Sequence, residues 1–320
     1  MSDPMLRLVS DVAELEACWE EHPLVSRCLA DFSDVFSLAG LESLLATAPI
    51  STSFVRLMHD GAELKSETLA RPRERSGPGA EPLVDGGKIV DEVRRGTTLV
   101  LEEVQSWIPE VAAFARGVES ATGYGTYCAA FLTPADACGV RAHYDLASVF
   151  IRQVYGSKRW QIGSPVEFRP KEAWAGRKVP LRDRQEVLLR EGDCLYLPRG
   201  YIHVGDTTGE ASLHLSIAVK PVTWESVLVQ EIRSLADHDH RLREALPFGF
   251  HRAAGSAMAE RMAAVTSVVG DHVTRLPTED AWKGIRARYA PSDVPAADGL
   301  SDALGAKGQA ELHAGDPDEQ

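Results

Sequence analysis

The sequence predicts an α+β protein whose centre is a β-barrel or jelly roll, with helices before and after it. Between residues 97 and 219, short β-prone segments alternate with turns that contain Gly, Pro or Asp. Residues before about position 50 and after position 221 instead carry apolar side chains at intervals of three and four, as helices do. Strands at such close intervals favour a barrel or jelly roll over a parallel α/β sheet.

Bulk composition limits the classes of protein. The 320 residues have 44% hydrophobic and 25% charged content, which is ordinary for a folded core, and a net charge of −13 that disfavours nucleic acid as a partner. No apolar run is long enough for a membrane span, and the N-terminus lacks a basic-then-apolar secretion signal, so we expect a cytoplasmic protein with no membrane partner. Five cysteines without a Cys-x-x-Cys pair predict free thiols.

Residues 1–95 are predicted to be helical and mixed in structure. Apolar residues in 24–45 recur at helical spacing and indicate a helix packed along one face. Residues 53–58 alternate as a short strand that ends at a turn. Residues 71–80 are rich in Pro, Gly and charge, which predicts a mobile loop or an internal linker.

Residues 96–222 are predicted to form the β-rich core. A strand at 97–101 leads into a helix at about 106–121. Further strands follow at 127–132, 149–154, 159–162, 186–189, 194–197 and 213–219. Because Tyr155-Gly156-Ser157 has the composition of a turn, the second and third of these strands are predicted to be separate.

Residues 223–290 are predicted to be a helical dimerisation region. Leucine, alanine and charged residues at helical spacing indicate helices at 224–245, 252–274 and 279–289. Leucine-rich helices that follow a complete barrel need a surface against which to bury their apolar face, so we expect a homodimer. Residues 291–320, rich in Ala, Gly, Asp and Pro, are predicted to be a flexible tail.

A candidate metal site centres on His143 and Asp145. In an extended segment, residues two apart point to the same face, so both side chains can face a barrel lumen while Tyr144 faces away. The turn, strand and proline of Glu191–Pro198 would present His203 at a barrel rim. Two imidazoles and one carboxylate occupy one face of an octahedral metal and leave the other positions open, as non-haem Fe(II) oxygenases require.

Three segments carry a resemblance to a known family: HYDLASVFIRQVYGSKRW, GDCLYLPRGYIHVGD and SLHLSIAVKPVTW. They resemble the JmjC/cupin-like 2-oxoglutarate oxygenases, most closely the ribosomal-oxygenase branch of histidyl and arginyl hydroxylases and its bacterial relatives. The resemblance implies a double-stranded β-helix core, flanked by N-terminal helices and a C-terminal helical dimerisation segment. It also implies that His143, Asp145 and His203 are the catalytic iron ligands, with 2-oxoglutarate and O2 as cosubstrates.

The same resemblance assigns the cosubstrate contacts. Lys158 matches the basic residue that grips the distal carboxylate of 2-oxoglutarate, and an anion would give a costly buried lysine its partner; a surface lysine in a turn is the alternative. His214 and Ser216 share one face of a strand that lines the site in this family, although His214 also fits a satisfied core histidine. Relatives commonly carry Asn and Tyr where this chain has Ala129 and Phe131, so a hydroxyl near the cosubstrate is lost and substrate identity does not transfer.

The function that the resemblance implies is an Fe(II)- and 2-oxoglutarate-dependent hydroxylase that acts on a peptide or protein side chain. Members of the branch hydroxylate histidine or arginine, often at the β-carbon. Two alternatives stay open: a tailoring hydroxylase of a small metabolite or amino acid, and a cupin-like metal-binding scaffold without turnover. His238-Asp239-His240 is set aside as a second site, because residues two apart on a helix point about 200° apart. Nothing in the sequence suggests that Cys138 or Cys194 is activated.

Overall fold

The computed structural model describes residues 3–71, 81–173, 181–252 and 255–289, and within them an antiparallel β-sheet lies between helices. The helices are α1 Val12–Cys18, α2 Leu38–Thr47, α3 Gly86–Arg94, α4 Pro109–Thr122, α5 Trp224–His238, α6 Gly255–Val273 and α7 Glu279–Tyr289. The strands are β1 Leu24–Ser26, β2 Val55–His59, β3 Ala62–Leu64, β4 Thr98–Leu101, β5 Thr126–Thr133, β6 Ser148–Pro165, β7 Gln185–Arg190, β8 Cys194–Leu197, β9 Tyr201–Asp206 and β10 Ser212–Val219. The predicted α+β class is confirmed. The predicted tail at 291–320 and most of the loop at 71–80 lie outside the described residues.

The long strand β6 connects two groups of strands. Its first half pairs with β8 and β10 inside a path ordered β1-β8-β6-β10-β5-β4-β2-β3, and its second half pairs with β7 and β9. Every pairing is antiparallel. One strand therefore contributes side chains to both groups, and the cavity described below is lined by residues of both.

The turn predicted at residues 155–157 is wrong, because the chain continues through it as a single strand. Gly156 has a φ of 62°, and the β6–β10 register shifts between Leu213 and His214, which is how a bulge bends a strand without ending it. A Cβ at this position would overlap the carbonyl oxygen of Ala211. A Tyr-Gly-Ser sequence is compatible with both a turn and a bulge. Which of the two forms here depends on the pairing with the neighbouring strand β10.

Replacing Gly156 with alanine is expected to destabilise the protein by about 2–4 kcal/mol, because a left-handed backbone costs ~1–2 kcal/mol for an L-residue and the clash adds to it. Urea unfolding of the full chain measures this. Gly123→Ala is the matched control, since Gly123 also has a positive φ, 74°, but its Cβ would meet nothing within 4 Å. Equal losses in the two variants would show that the close approach to Ala211 adds nothing.

The N-terminal region differs from the single helix predicted over 24–45. Leu24–Ser26 is β1, paired with β8, and only Leu38–Thr47 is helical, starting where the Ser37 hydroxyl accepts from the backbone of Gly40. Helix α3 and the strands β3 and β9 were not predicted. Pairing with a strand some 170 residues away is a tertiary effect that local periodicity does not record.

Alternate residues of the central strands face opposite sides. Leu213, Leu215 and Ile217 of β10 point into an apolar core shared with the N-terminal helices, which includes Phe36 and Leu41. The residues between them, at 214, 216 and 218, line a cavity on the other face. The fold thus separates an apolar outer face from an inner face on which chemistry can take place.

The C-terminal helices begin at a capping box formed by Thr223 and Ser226. The predicted first helix ends at His238 rather than at 245, whereas the predicted helices at 252–274 and 279–289 are confirmed as α6 and α7 within three residues. No helix in the described ranges is long and apolar enough to cross a membrane.

Candidate metal centre

A cavity of about 680 Å³ lies on the inner face of the sheet. The strands supply alternate side chains to it, namely Tyr127, Ala129 and Phe131 from β5, Val149, Ile151, Lys158 and Trp160 from β6, and His214, Ser216 and Ala218 from β10. His203 of β9 and the segment before β6 also line the cavity. All seven residues predicted for the site therefore line one cavity.

Two imidazoles and one carboxylate meet in this cavity. His143 Nε2 lies 3.7 Å from Asp145 Oδ1, and His203 Nε2 lies 3.7 Å from Asp145 Oδ2. One potential ligand atom from each residue falls within 4.8 Å of the others. The backbones of His143 and His203 form an isolated antiparallel bridge, which brings together residues 60 positions apart. Spacing and donor types suit a single metal ion.

Backbone carbonyls orient both histidine rings. Nδ1 of His143 lies 2.8 Å from the carbonyl oxygen of Arg141, and Nδ1 of His203 lies 3.0 Å from that of Tyr201. A carbonyl only accepts, so each Nδ1 must carry the proton and each Nε2 keeps its lone pair for the cavity. This is the arrangement by which outer partners fix the tautomer of metal-binding histidines.

His203 is also held neutral. It is almost fully buried, and burial lowers its pKa well below the ordinary value, with the neighbouring His143 ring lowering it further. A neutral ring is the form that binds a metal. His203 lies inside strand β9, which follows β8 and the turn at Gly200, where φ is 90°.

Lys158 is a buried cation on the same cavity. Its side chain is 3% exposed, and its Nζ donates to the hydroxyl of Thr133 at 3.0 Å. Within the described ranges no carboxylate oxygen lies within 4 Å of this nitrogen. Burial lowers the pKa of Lys158 to about 8, although Asp206 partly counteracts it. The surface-turn alternative is therefore wrong, and no carboxylate of the described residues forms an ion pair with the lysine.

The remaining predicted residues surround this lysine and the triad. The rings of Phe131 and His214 stack with centroids 4.8 Å apart, and Trp160 meets His214 edge-on at 5.3 Å. Nδ1 of His214 and Nε1 of Trp160 are buried and find no hydrogen-bond partner among the residues described. His214 is thus not the satisfied core histidine of the alternative interpretation. Unpaired polar atoms beside an unpaired lysine fit a cavity that binds a polar ligand.

A polar network in the cavity lining was not predicted. Glu102 accepts from Nη1 of Arg56 at 3.2 Å and from the hydroxyl of Tyr127. Burial, and the hydrogen bond to Glu102, raise the pKa of Tyr127, so its proton is firmly held. Strand alternation places Tyr127 on the face of Ala129 and Phe131, a signal that could have found it. The pairing with Arg56 depends on strand neighbours and has no sequence signature.

The features set aside in the sequence stay outside the site. Helix α5 ends at His238, and Asp239 caps the next turn by accepting from Arg241. Burial raises the pKa of Cys138 to about 11 and that of Cys194 to about 12, so neither thiol is activated.

Comparison with known proteins identifies related chains. Residues 101–227 match the family model described as JmjC domain. The bifunctional lysine-specific demethylase and histidyl-hydroxylase NO66 of Drosophila persimilis is 31% identical over 162 residues, 47% of this chain and 24% of that protein. Ribosomal oxygenase 2 of Rattus norvegicus is 37% identical over 129 residues, 37% of this chain and 27% of that protein. The chain thus spans about a quarter of the length of these relatives.

A solved structure has the same fold over most of the chain. It is YcfD, a ribosomal oxygenase from Escherichia coli, in complex with cobalt and 2-oxoglutarate. It is 18% identical, has a TM-score of 0.55, and the match covers 92% of this chain and 78% of that one. The resemblance to JmjC oxygenases, and within them to the ribosomal oxygenases, is confirmed.

Proposed function

Starting from the match of residues 101–227 to the JmjC domain, we propose that this chain is an Fe(II)- and 2-oxoglutarate-dependent hydroxylase of a peptide or protein side chain. One observation carries the proposal: two imidazoles and a carboxylate converge on a cavity that also contains a buried lysine without a carboxylate partner among the described residues. The names of the relatives, which include a histidyl-hydroxylase and ribosomal oxygenases, support this class of substrate.

His143, Asp145 and His203 would hold the iron. Three protein donors fill half of an octahedral shell, so positions remain for a cosubstrate and for O2. The carbonyls of Arg141 and Tyr201 keep both rings in the required tautomer before the metal arrives, which reduces the reorganisation that binding would otherwise need.

Lys158 would bind the far carboxylate of 2-oxoglutarate. The ammonium group gains the anion that its burial requires, and binding restores its pKa toward the ordinary range. Thr133 orients the ammonium group, and the unpaired polar atoms of Trp160 and His214 lie beside it as further contacts. Ser216 and Phe131 line the adjoining part of the cavity. Phe131 has no hydroxyl and contributes only the ring that stacks on His214.

Iron and 2-oxoglutarate, when bound, supply the activation of O2 by which a C–H bond, O2 and 2-oxoglutarate are converted to an alcohol, succinate and CO2. The protein's own residues position these groups and exclude water. Val149, Ile151 and Trp160 are almost fully buried around the cavity, so few other groups can react there.

We extend the proposal to the architecture. The core at 96–222 is taken as a double-stranded β-helix, supported by the way β6 pairs with four strands in two groups. Residues 1–95 complete the catalytic domain with helices and short strands. Residues 223–290 form the dimerisation region.

The test of function is mass spectrometry after incubation with Fe(II), 2-oxoglutarate and candidate peptides, ribosomal proteins and amino acids. We expect one added oxygen on a protein or peptide, together with succinate. Oxygen added to a free amino acid or metabolite only would favour the tailoring enzyme. A protein that binds metal but neither binds 2-oxoglutarate nor releases succinate would be a scaffold, for which Lys158 has no evident use.

An exposed apolar stripe on helix α5 supports the proposed dimer and allows it to be tested. Trp224, Leu228 and Ile232 recur every fourth residue on α5 and are 74%, 40% and 37% exposed, an apolar stripe that a second copy would cover. We expect light scattering to give twice the chain mass at micromolar concentration and the single mass for the double variant Leu228→Glu/Ile232→Glu. Arg233→Glu, an exposed change on another face of α5, should remain dimeric. A wild-type monomer would contradict the prediction.

A further inference from the structure

Three rows of side chains run across the inner face of β5, β10 and β6, and strand pairing sets their order. Successive rows are two residues apart along each strand, which is ~6.7 Å in an antiparallel sheet. The first row holds Phe131 and His214, the second Ala129, Ser216 and Ile151, and the third Tyr127, Ala218 and Val149. The first and third rows are therefore ~13 Å apart on the cavity wall.

The cosubstrate end of the cavity lies at the first row. The Nζ of Lys158 is 5.3 Å from the centre of the Trp160 ring, and that ring meets His214 edge-on at 5.3 Å. Asp145 instead lies near the third row, where its charge contributes to the raised pKa of Tyr127. A cosubstrate held by Lys158 and the metal thus leaves the third row to the substrate.

The hydroxyl oxygen of Tyr127 is fixed as a hydrogen-bond acceptor in the cavity lining. A carboxylate can only accept, so the phenol donates its proton to Glu102. Glu102 is held in turn by Arg56, whose Nη1 donates to it at 3.2 Å, and by its own backbone N–H, which donates to the carbonyl oxygen of Phe54 at 2.8 Å. The oxygen of Tyr127 keeps its lone pairs and has no proton left to offer a ligand.

The other side chains of the second and third rows do not select a hydrogen-bond donor. Four of them are hydrocarbon and contact the stem of any side chain that enters, namely Ala129, Val149, Ile151 and Ala218. The Ser216 hydroxyl can rotate and either donate or accept. A donor on the entering side chain is therefore selected at Tyr127.

We infer that Tyr127 is a specificity-determining residue whose oxygen accepts a hydrogen bond from the side chain to be hydroxylated, so that this side chain carries an N–H or O–H donor. The inference rests on the proposed function and names the chemistry of its substrate. Amide, hydroxyl, imidazole and cationic N–H groups meet the requirement, whereas a purely aliphatic side chain does not.

Two fragments of matched shape test this without knowledge of the true substrate. Isobutyramide and 3-methylbutan-2-one share a carbonyl and an isopropyl stem, but the amide has an NH2 group where the ketone has a methyl group, so only the amide is a donor. Saturation-transfer NMR titrations of the full chain, with Zn(II) and 2-oxoglutarate present, give both affinities. We expect the amide to bind about fivefold more tightly, which corresponds to ~1 kcal/mol, the net contribution of one neutral hydrogen bond. Equal affinities, or binding of neither fragment, overturn the inference.

The variant Tyr127→Phe tests whether this one oxygen causes the preference. It keeps the ring, so the affinity for the ketone should be unchanged, while that for the amide falls about fivefold to the level of the ketone. A merely structural role of the hydroxyl would lower both affinities together. Tyr155→Phe is the matched control and should keep the wild-type preference, because Tyr155 is 44% exposed on β6 and is not among the described residues that line the cavity. A fivefold preference that persists in Tyr127→Phe overturns the inference.

The outcomes separate this inference from the proposed function. Succinate release and hydroxylation without any preference for the amide would leave the hydroxylase standing and overturn the role of Tyr127. A preference that Tyr127→Phe removes, in a chain without 2-oxoglutarate turnover, would do the reverse.

Discussion

Replacing Asp145 with alanine is expected to abolish stoichiometric iron binding and to lower succinate formation more than about 100-fold, since losing even an outer partner of a metal ligand costs ~10–100-fold. Asp145 is the one carboxylate of the cluster, and without it only two imidazoles remain to hold a divalent cation. Metal content after dialysis and succinate yield measure the two effects.

Two controls accompany this change. Asp280→Ala removes a carboxylate that is 97% exposed on α7, and His238→Ala removes an exposed histidine at the end of α5. Both should retain wild-type metal content. Circular dichroism should show Asp145→Ala to be folded, because the Asp145 side chain is partly exposed and forms no hydrogen bond to the backbone in the described ranges. Normal metal content in folded Asp145→Ala would remove this residue from the site.

Replacing Lys158 with methionine is expected to weaken 2-oxoglutarate binding about 10- to 150-fold, the equivalent of the ~1.5–3 kcal/mol of a charge-assisted hydrogen bond. The same change should stabilise the protein without 2-oxoglutarate by ~1–3 kcal/mol, because it removes a buried charge at the cost of the bond to Thr133. Lys283→Met, an exposed lysine on α7, should change neither quantity. Loss of both affinity and stability would make Lys158 a structural residue.

The lowered pKa of Lys158 predicts how stability and 2-oxoglutarate affinity change with pH. The pKa of Lys158 is about 8 in the folded protein against 10.5 ordinarily, so the folded chain releases this proton first. The cost of burying the charge is fully present below pH 8, and the stability rises as pH increases from 8 to 10.5. Affinity for 2-oxoglutarate should fall over the same range, as the ammonium is lost. Lys158→Met lacks the titrating group, so the pH dependence of stability and that of 2-oxoglutarate affinity over this range should both be absent from the variant. The difference between wild type and variant then gives the contribution of Lys158.

Local patterns predicted the elements that depend on neighbouring residues. The alternation of His143, Tyr144 and Asp145 does direct the outer two into one cavity, and the helices around 109–122 and 279–289 follow their apolar periodicity. Each of these features is decided within a few positions of the chain.

Features decided by distant partners could not be predicted. Residues 24–26 become a strand because β8 lies beside them, and β6 passes through Gly156 because β10 bends with it. The network of Arg56 and Glu102 joins residues 46 positions apart, one in β2 and the other directly after β4.

The most direct test of the central claim is an anaerobic titration of Fe(II) into the full chain with and without 2-oxoglutarate, followed by visible absorption. We predict that one equivalent of each produces the weak band of a keto acid chelated to Fe(II), and that Asp145→Ala and Lys158→Met lose or weaken it. Iron bound at full stoichiometry without any band in the presence of saturating 2-oxoglutarate would contradict the account.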